Sequence, residues 1–132
     1  MASTILVADD DRAIRMVLNQ ALIRLGHDVR MTGNAATLWR WVADGEGDLV
    51  ITDVIMPEMS GPELIKHLKE TSTHDFAVLF VTGYVGEGET DDLRGHELLR
   101  KPFTVGALAS AVAAALARTS EPPRSSASGA RG

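Results

Sequence analysis

Two hydrophobic periods take turns along this chain, and that alternation restricts the fold more than any other feature. "TILVA" (4–8) is a short unbroken apolar run, the mark of a strand covered on both faces. Ile14, Val17, Leu18, Ala21, Leu22 and Leu25 then recur at helical spacing until Gly26 stops the helix. "DVRMT" (28–32) alternates like a strand. In "NAATLWRWVADG", Ala35, Leu38, Trp41 and Val42 share a helical face. "DLVITD" (48–53) is the next apolar strand, "MPEMSG" a loop, and Leu64, Ile65 and Leu68 mark a third helix. "FAVLFVT" (76–82) is the most strand-like segment. "GYVGEGETDDLRG" (83–95) holds four glycines, so any helix expected there is short and weak. "ELLRK" (97–101) reads as a short strand ended by Pro102. Thr104 is expected to cap a last helix with Val105, Leu108, Val112 and Leu116 on one face. From Thr119 the Ser/Pro/Gly-rich "TSEPPRSSASGARG" can bury almost nothing. The expected organisation is therefore one domain over 1–118 and a disordered tail over 119–132.

Five β-α units in alternation predict an α/β fold, a doubly wound parallel sheet with helices on both faces. In such sheets the ligand site lies outside the carboxyl ends of the strands. The first strand delivers Asp9 and Asp10 to that edge, the third Asp53, the fourth Thr82 and the fifth Lys101. Three carboxylates, a hydroxyl and an ammonium thus converge from distant parts of the chain. Adjacent acids such as Asp9, Asp10 and Asp11 repel one another unless they face water, cap a helix or hold a cation.

Composition narrows the function. Lys plus Arg is 13 against 18 for Asp plus Glu, a net charge of −5, which disfavours a basic nucleic-acid surface. Cysteine is absent, which excludes disulfides and thiolate chemistry. No apolar run approaches the ~20 residues of a membrane span. "MASTILVADDD" lacks the features of a signal peptide. A soluble cytoplasmic protein is expected, with no membrane and no direct nucleic-acid partner. His27, His67, His74 and His96 lack metal-ligand spacing and are expected at the surface. Trp39 and Trp41 are expected to pack the second helix.

"VADDD" after the first strand, "ITDVIMPEMSG" around Asp53, "FVTGY" after the fourth strand and "RKPF" after the fifth occur in order. Over about residues 4 to 118 the chain resembles a receiver domain of two-component response regulators. Its first half ("ILVADDD", "NAATLWRW", "DLVITDVIMP") is similar to receivers of nitrogen-regulation activators. Its second half ("SGPELI", "FVTGY", "ELLRKPF") is similar to receivers of hybrid sensor kinases.

The resemblance implies a flavodoxin-like strand order 2-1-3-4-5 and a phosphoryl group accepted on Asp53 from a histidine kinase or histidine phosphotransfer protein. It also implies Mg²⁺ held by Asp9, Asp10, Asp53 and the backbone carbonyl of Ile55, with Thr82 and Lys101 on the phosphate. The chemistry is consistent: a carboxylate can attack phosphorus, and Mg²⁺ prefers a few carboxylates plus waters and phosphate oxygens. Asp11 is then the N-cap of the first helix. Three positions before Lys101, where most of the family has an aromatic switch residue, stands Leu98. The output is therefore expected to run through residues 83–100, with Tyr84 and Leu98 as candidate gates. The surface formed by the weak fourth helix, the fifth strand and the last helix would dock a target protein or a second copy.

Taken singly, these residues have ordinary readings: solvated acids, a turn aspartate, a strand-end threonine, a surface lysine. Their joint placement outweighs those. Rival functions fit less well. An aspartate-nucleophile phosphatase or dehalogenase would want an acid two residues after the nucleophile, and Ile55 stands there. A flavin carrier would want a Ser/Thr/Gly phosphate loop where the three acids stand. A degenerate, binding-only receiver would not need the complete acidic set. A chain that undergoes only self-phosphorylation and slow self-dephosphorylation, rather than an enzyme, is expected. No output domain is expected within the 14 residues of the tail.

Overall fold

β1 (Thr4–Ala8), β2 (Asp28–Thr32), β3 (Leu49–Asp53), β4 (Ala77–Thr82) and β5 (Glu97–Arg100) form one parallel sheet in the order β2-β1-β3-β4-β5. The expected strand order is thereby observed. The computed structural model describes residues 3–83 and 96–120. The helices are α1 (Arg12–Arg24), α2 (Ala35–Ala43), α3 (Gly61–Thr71) and α4 (Val105–Ser120). The last of these continues two residues into the segment read as tail. The segment 84–95, with the expected weak helix, lies outside the described residues, as does the tail beyond Ser120.

Strand side chains alternate between faces, so β1 feeds two cores. Leu6 and Ala8 join Val50, Phe80 and the inward faces of α2 and α3. Ile5 and Val7 join Leu49, Ile51, Leu79, Val81 and the inward faces of α1 and α4. This is why β3 and β4 are buried at every position and read as unbroken apolar runs. The edge strands β2 and β5 have less cover and alternate in burial.

Each described helix starts on a side-chain cap. Asp11, Asn34, Ser60 and Thr104 accept from backbone N–H groups two to three residues on. Ser60 with Glu63 has the S-x-x-E spacing of a capping box. α1 ends in a Schellman motif: Gly26 (φ 93°) donates to the Ile23 carbonyl and His27 to that of Leu22.

Three expectations are corrected by packing. In α1 the buried stripe is Leu18, Ala21 and Leu22, while Val17 is 48% and Leu25 38% exposed. Val17 faces a shallow groove beside Gln20, Arg24 and Val105, and Leu25 stands at the helix end. Val105 is exposed too, since it precedes by one turn the first α4 residue to reach the sheet, Leu108. The four histidines are half-buried instead of lying at the open surface. His67 stacks on Trp39, and His96 meets Phe80 edge-on at 5.4 Å. His74 Nε2 sits 3.0 and 3.1 Å from the carbonyls of Glu46 and Gly47, tying the loop after α3 to the one before β3. Burial, helped by nearby Lys69 and Arg118, holds His96 below the ordinary histidine pKa. Trp39 and Trp41 pack against the α2–α3 core as expected, and Arg30 lies over the Trp41 ring.

Candidate functional site

The register places the ends of four strands side by side. Ala8 lies opposite Thr52, Asp53 opposite Val81, and Thr82 opposite Arg100. One residue beyond β1 stands Asp9, and one beyond β5 stands Lys101. Burial grades outward: Asp9 and Thr82 are 1% exposed, Asp53 is 9% exposed, and Asp10 faces solvent.

Carboxylate oxygens of Asp9, Asp10 and Asp53 all lie within 4.8 Å of one another. Lys101 bridges two of them, its Nζ 3.0 Å from Asp53 Oδ2 and 3.3 Å from Asp9 Oδ2. The remaining oxygens are held by the main chain: Asp9 Oδ1 accepts from the Asp11 N–H at 2.9 Å and Asp53 Oδ1 from the Ile55 N–H at 3.1 Å. The Ile55 side chain is 59% exposed. Asp11 points away, accepting from Ala13 and Ile14 as the α1 cap, which is the role expected for it.

Burial raises the pKa of Asp9 above the ordinary carboxylate value, against the pull of the Asp11 N–H and Lys101; Asp53 adds to the rise. For Lys101, burial works downward, yet its bond to Asp53 and the charges of both acids outweigh it and hold the ammonium above 10.5. The arrangement is an acidic pocket, short of positive charge, with one fixed ammonium. It can accept a small divalent cation, and it presents a poorly hydrated carboxylate beside that ammonium.

Thr82 is buried at the end of β4, and its carbonyl accepts from the Lys101 N–H at 2.8 Å, tying β4 to the Lys101 loop. Leu98 lies on β5 at 36% exposure. Tyr84 lies outside the described residues. Two further residues shape the pocket. Gly61 runs so close to the loop after β3 that a Cβ there would overlap the Asp53 carbonyl oxygen; its N–H donates to Val54 at 2.7 Å. Arg15 joins the site with no motif to mark it, its Nη1 donating to the Asp9 carbonyl at 2.6 Å.

The profile of the response regulator receiver domain matches residues 5–113. The DNA-binding transcriptional regulator NtrC of Azospirillum brasilense is 50% identical over 125 residues, covering 92% of this chain and 26% of that protein. The sensor kinase CckA of Brucella abortus is 33% identical over 116 residues, covering 84% of this chain and 12% of the kinase. Each alignment spans both halves of the chain, so neither likeness is confined to one half. The chain spans about a quarter or less of these relatives' lengths. A CheY-like receiver domain protein from Methanospirillum hungatei superposes with a TM-score of 0.81 at 23% identity, covering 89% of this chain and 96% of that one, a likeness of fold. With the parallel order β2-β1-β3-β4-β5, the acidic pocket at its carboxyl edge and a profile match over most of its length, the chain belongs to the response regulator receiver domains of two-component systems.

Proposed function

We propose that this receiver accepts a phosphoryl group on Asp53 from a phosphohistidine of a histidine kinase or histidine phosphotransfer protein. The observation that carries this is the pocket itself: three carboxylates within 4.8 Å, with Lys101 between two of them. An Asp53 carboxylate oxygen attacks phosphorus, and the P–N bond to the donor imidazole breaks. The electron pair leaves with that nitrogen, and an aspartyl phosphate remains. The Lys101 ammonium, already beside Asp53, pairs with the new phosphoryl oxygens as a point charge. Thr82, buried one strand away, offers its hydroxyl to one of them.

The donor set fits Mg²⁺, which favours carboxylates and keeps several waters. Asp9, Asp10, Asp53 and the Ile55 carbonyl would hold it. Bound there, it supplies neutralisation of the phosphoryl charge. Ile55 in place of an acid two residues after Asp53 leaves no side-chain acid/base at that position to speed hydrolysis. The chain is therefore read as a phosphorylated switch rather than a multi-turnover enzyme.

Thermal unfolding and acetyl phosphate labelling test this reading. Millimolar Mg²⁺ is expected to raise Tm by a few degrees, about 1–2 kcal/mol if the ion exceeds its Kd roughly tenfold. EDTA is expected to stop labelling. No thermal shift together with EDTA-insensitive labelling overturns the reading.

The output is proposed to leave through Thr82 and the surface over 83–100, with Tyr84 and Leu98 as gates. A protein target or a second copy would dock on that surface together with α4. What supports this is that a half-exposed leucine stands where most of the family has an aromatic switch. Hydrogen exchange with and without beryllofluoride is expected to change protection over 83–100. Changes restricted to the Asp53 loop contradict the route.

A further inference from the structure

Arg15 has no task in the phosphoacceptor reading, yet its guanidinium reaches the site. It sits in the first turn of α1, is half-buried and makes no ion pair among the described residues. Its one described hydrogen bond goes to a main-chain oxygen, that of Asp9, at 2.6 Å. The guanidinium also fills the space beside Gly33, where a Cβ would lie 2.9 Å from Nη1 and 3.5 Å from Cζ. Arg15 is therefore seated between the loop after β1 and the loop after β2.

The bond falls at a telling place. The Asp9 N–H donates to the Thr32 carbonyl at 3.2 Å, and Asp9 Oδ1 accepts from the Asp11 N–H. Arg15 takes the remaining main-chain group of Asp9 and so sets the plane of the Asp9–Asp10 peptide. The Asp10 side chain has no hydrogen bond among the described residues, so what the surrounding structure fixes for Asp10 is its main chain, through the Asp9–Asp10 peptide that places its Cα.

We propose that Arg15 is a positioning residue that locks the Asp9–Asp10 peptide, holding both carboxylates in the grouping that receives a divalent cation. The proposal rests on the phosphoacceptor reading, but it predicts a sign that simple electrostatics does not. By charge alone, a guanidinium near the pocket opposes cation binding, and its removal would tighten Mg²⁺. As a positioning residue its removal weakens Mg²⁺, as the loss of outer groups that orient metal ligands does.

The test is Mg²⁺ titration of the full chain, followed by thermal shift and by the amide resonances of residues 10 and 11. Arg15→Met is expected to raise the Mg²⁺ Kd on the order of 10-fold, and to speed hydrogen exchange of the Asp11 amide in metal-free protein. Arg15→Lys, which keeps a donor and the charge, is expected to recover part of both. Gly33→Ala, which crowds the guanidinium off its seat, is expected to shift both in the same direction by less, and it serves if Arg15→Met does not fold. Equal or tighter Mg²⁺ binding in Arg15→Met overturns the proposal. If the wild type itself shows no Mg²⁺ response, the Asp11 amide decides the clamp alone, and EDTA-insensitive labelling beside that result overturns the phosphoacceptor reading. Faster exchange in Arg15→Met sustains the clamp, and unchanged exchange overturns it.

Discussion

Asp53→Asn is expected to abolish phosphoryl labelling, by acetyl phosphate and by any phosphohistidine donor, while leaving the fold in place. An amide oxygen is a poor nucleophile toward phosphorus, and neither neighbouring acid can substitute. Asp9 is 1% exposed and pinned by the Asp11 N–H, and Asp10 faces solvent. The variant should keep its Tm or gain slightly, because one of three crowded carboxylates becomes neutral. Intact-mass measurement after incubation with acetyl phosphate and Mg²⁺ checks the first part, and thermal unfolding checks the second. Labelling comparable to wild type would remove Asp53 from the acceptor role.

Lys101→Met is the second change with a large expected effect, and here the readout is stability against pH. Among the described residues Lys101 is the one ammonium bridging Asp9 and Asp53, with its side chain 18% exposed. Taking it away leaves buried acids facing each other, at a cost of about 1–3 kcal/mol near neutral pH, less than for a fully dry pair. The sign with pH follows from the two shifted groups. The folded-state pKa of Asp9 is raised above 3.8, so its contribution to stability is present at low pH and lost as pH rises through the raised value. The folded-state pKa of Lys101 is raised above 10.5, so its contribution is complete below 10.5 and lost as pH climbs through the raised value. The gap between wild type and variant should therefore be widest between those limits. It should close below as Asp9 takes up a proton, and above as the wild-type lysine discharges. Denaturant unfolding of both proteins across pH checks this. A gap that is flat with pH would mean that Lys101 stabilises by packing and not by charge. Labelling of the variant should also fall, since the phosphoryl group loses its fixed counter-charge.

How much was legible in the sequence varies with the kind of contact. β1, β3 and β4 announce themselves because a strand buried on both faces must be apolar at every position. The site residues are legible for a related reason. Parallel topology sends every strand's carboxyl end to one edge, so Asp9, Asp53, Thr82 and Lys101 meet there despite their separation in sequence. Helix faces are read less well. Val17 has the spacing of the buried stripe on α1 but lies on its margin, where Gln20 and Arg24 open the groove to solvent. The histidines illustrate the same limit, because residue type says little about a ring that wedges between two loops, as His74 does. Arg15 was the least legible of all. A side chain that bonds to a main-chain carbonyl needs no particular partner residue, so neither motif nor spacing marks it. Gly61 lies between these cases. A glycine after "MPEMS" suggests a turn, but only the packed loop shows that a Cβ would strike the Asp53 carbonyl.

The central claim is that one carboxylate of the three becomes the aspartyl phosphate. Labelling the wild-type chain with acetyl phosphate and Mg²⁺, reducing the acyl phosphate with borohydride and sequencing the peptides by mass spectrometry tests it most directly. Homoserine is expected at position 53 alone, and none when EDTA is present during labelling. Homoserine at position 9 or 10, or a reduced residue that appears equally with EDTA, would contradict it.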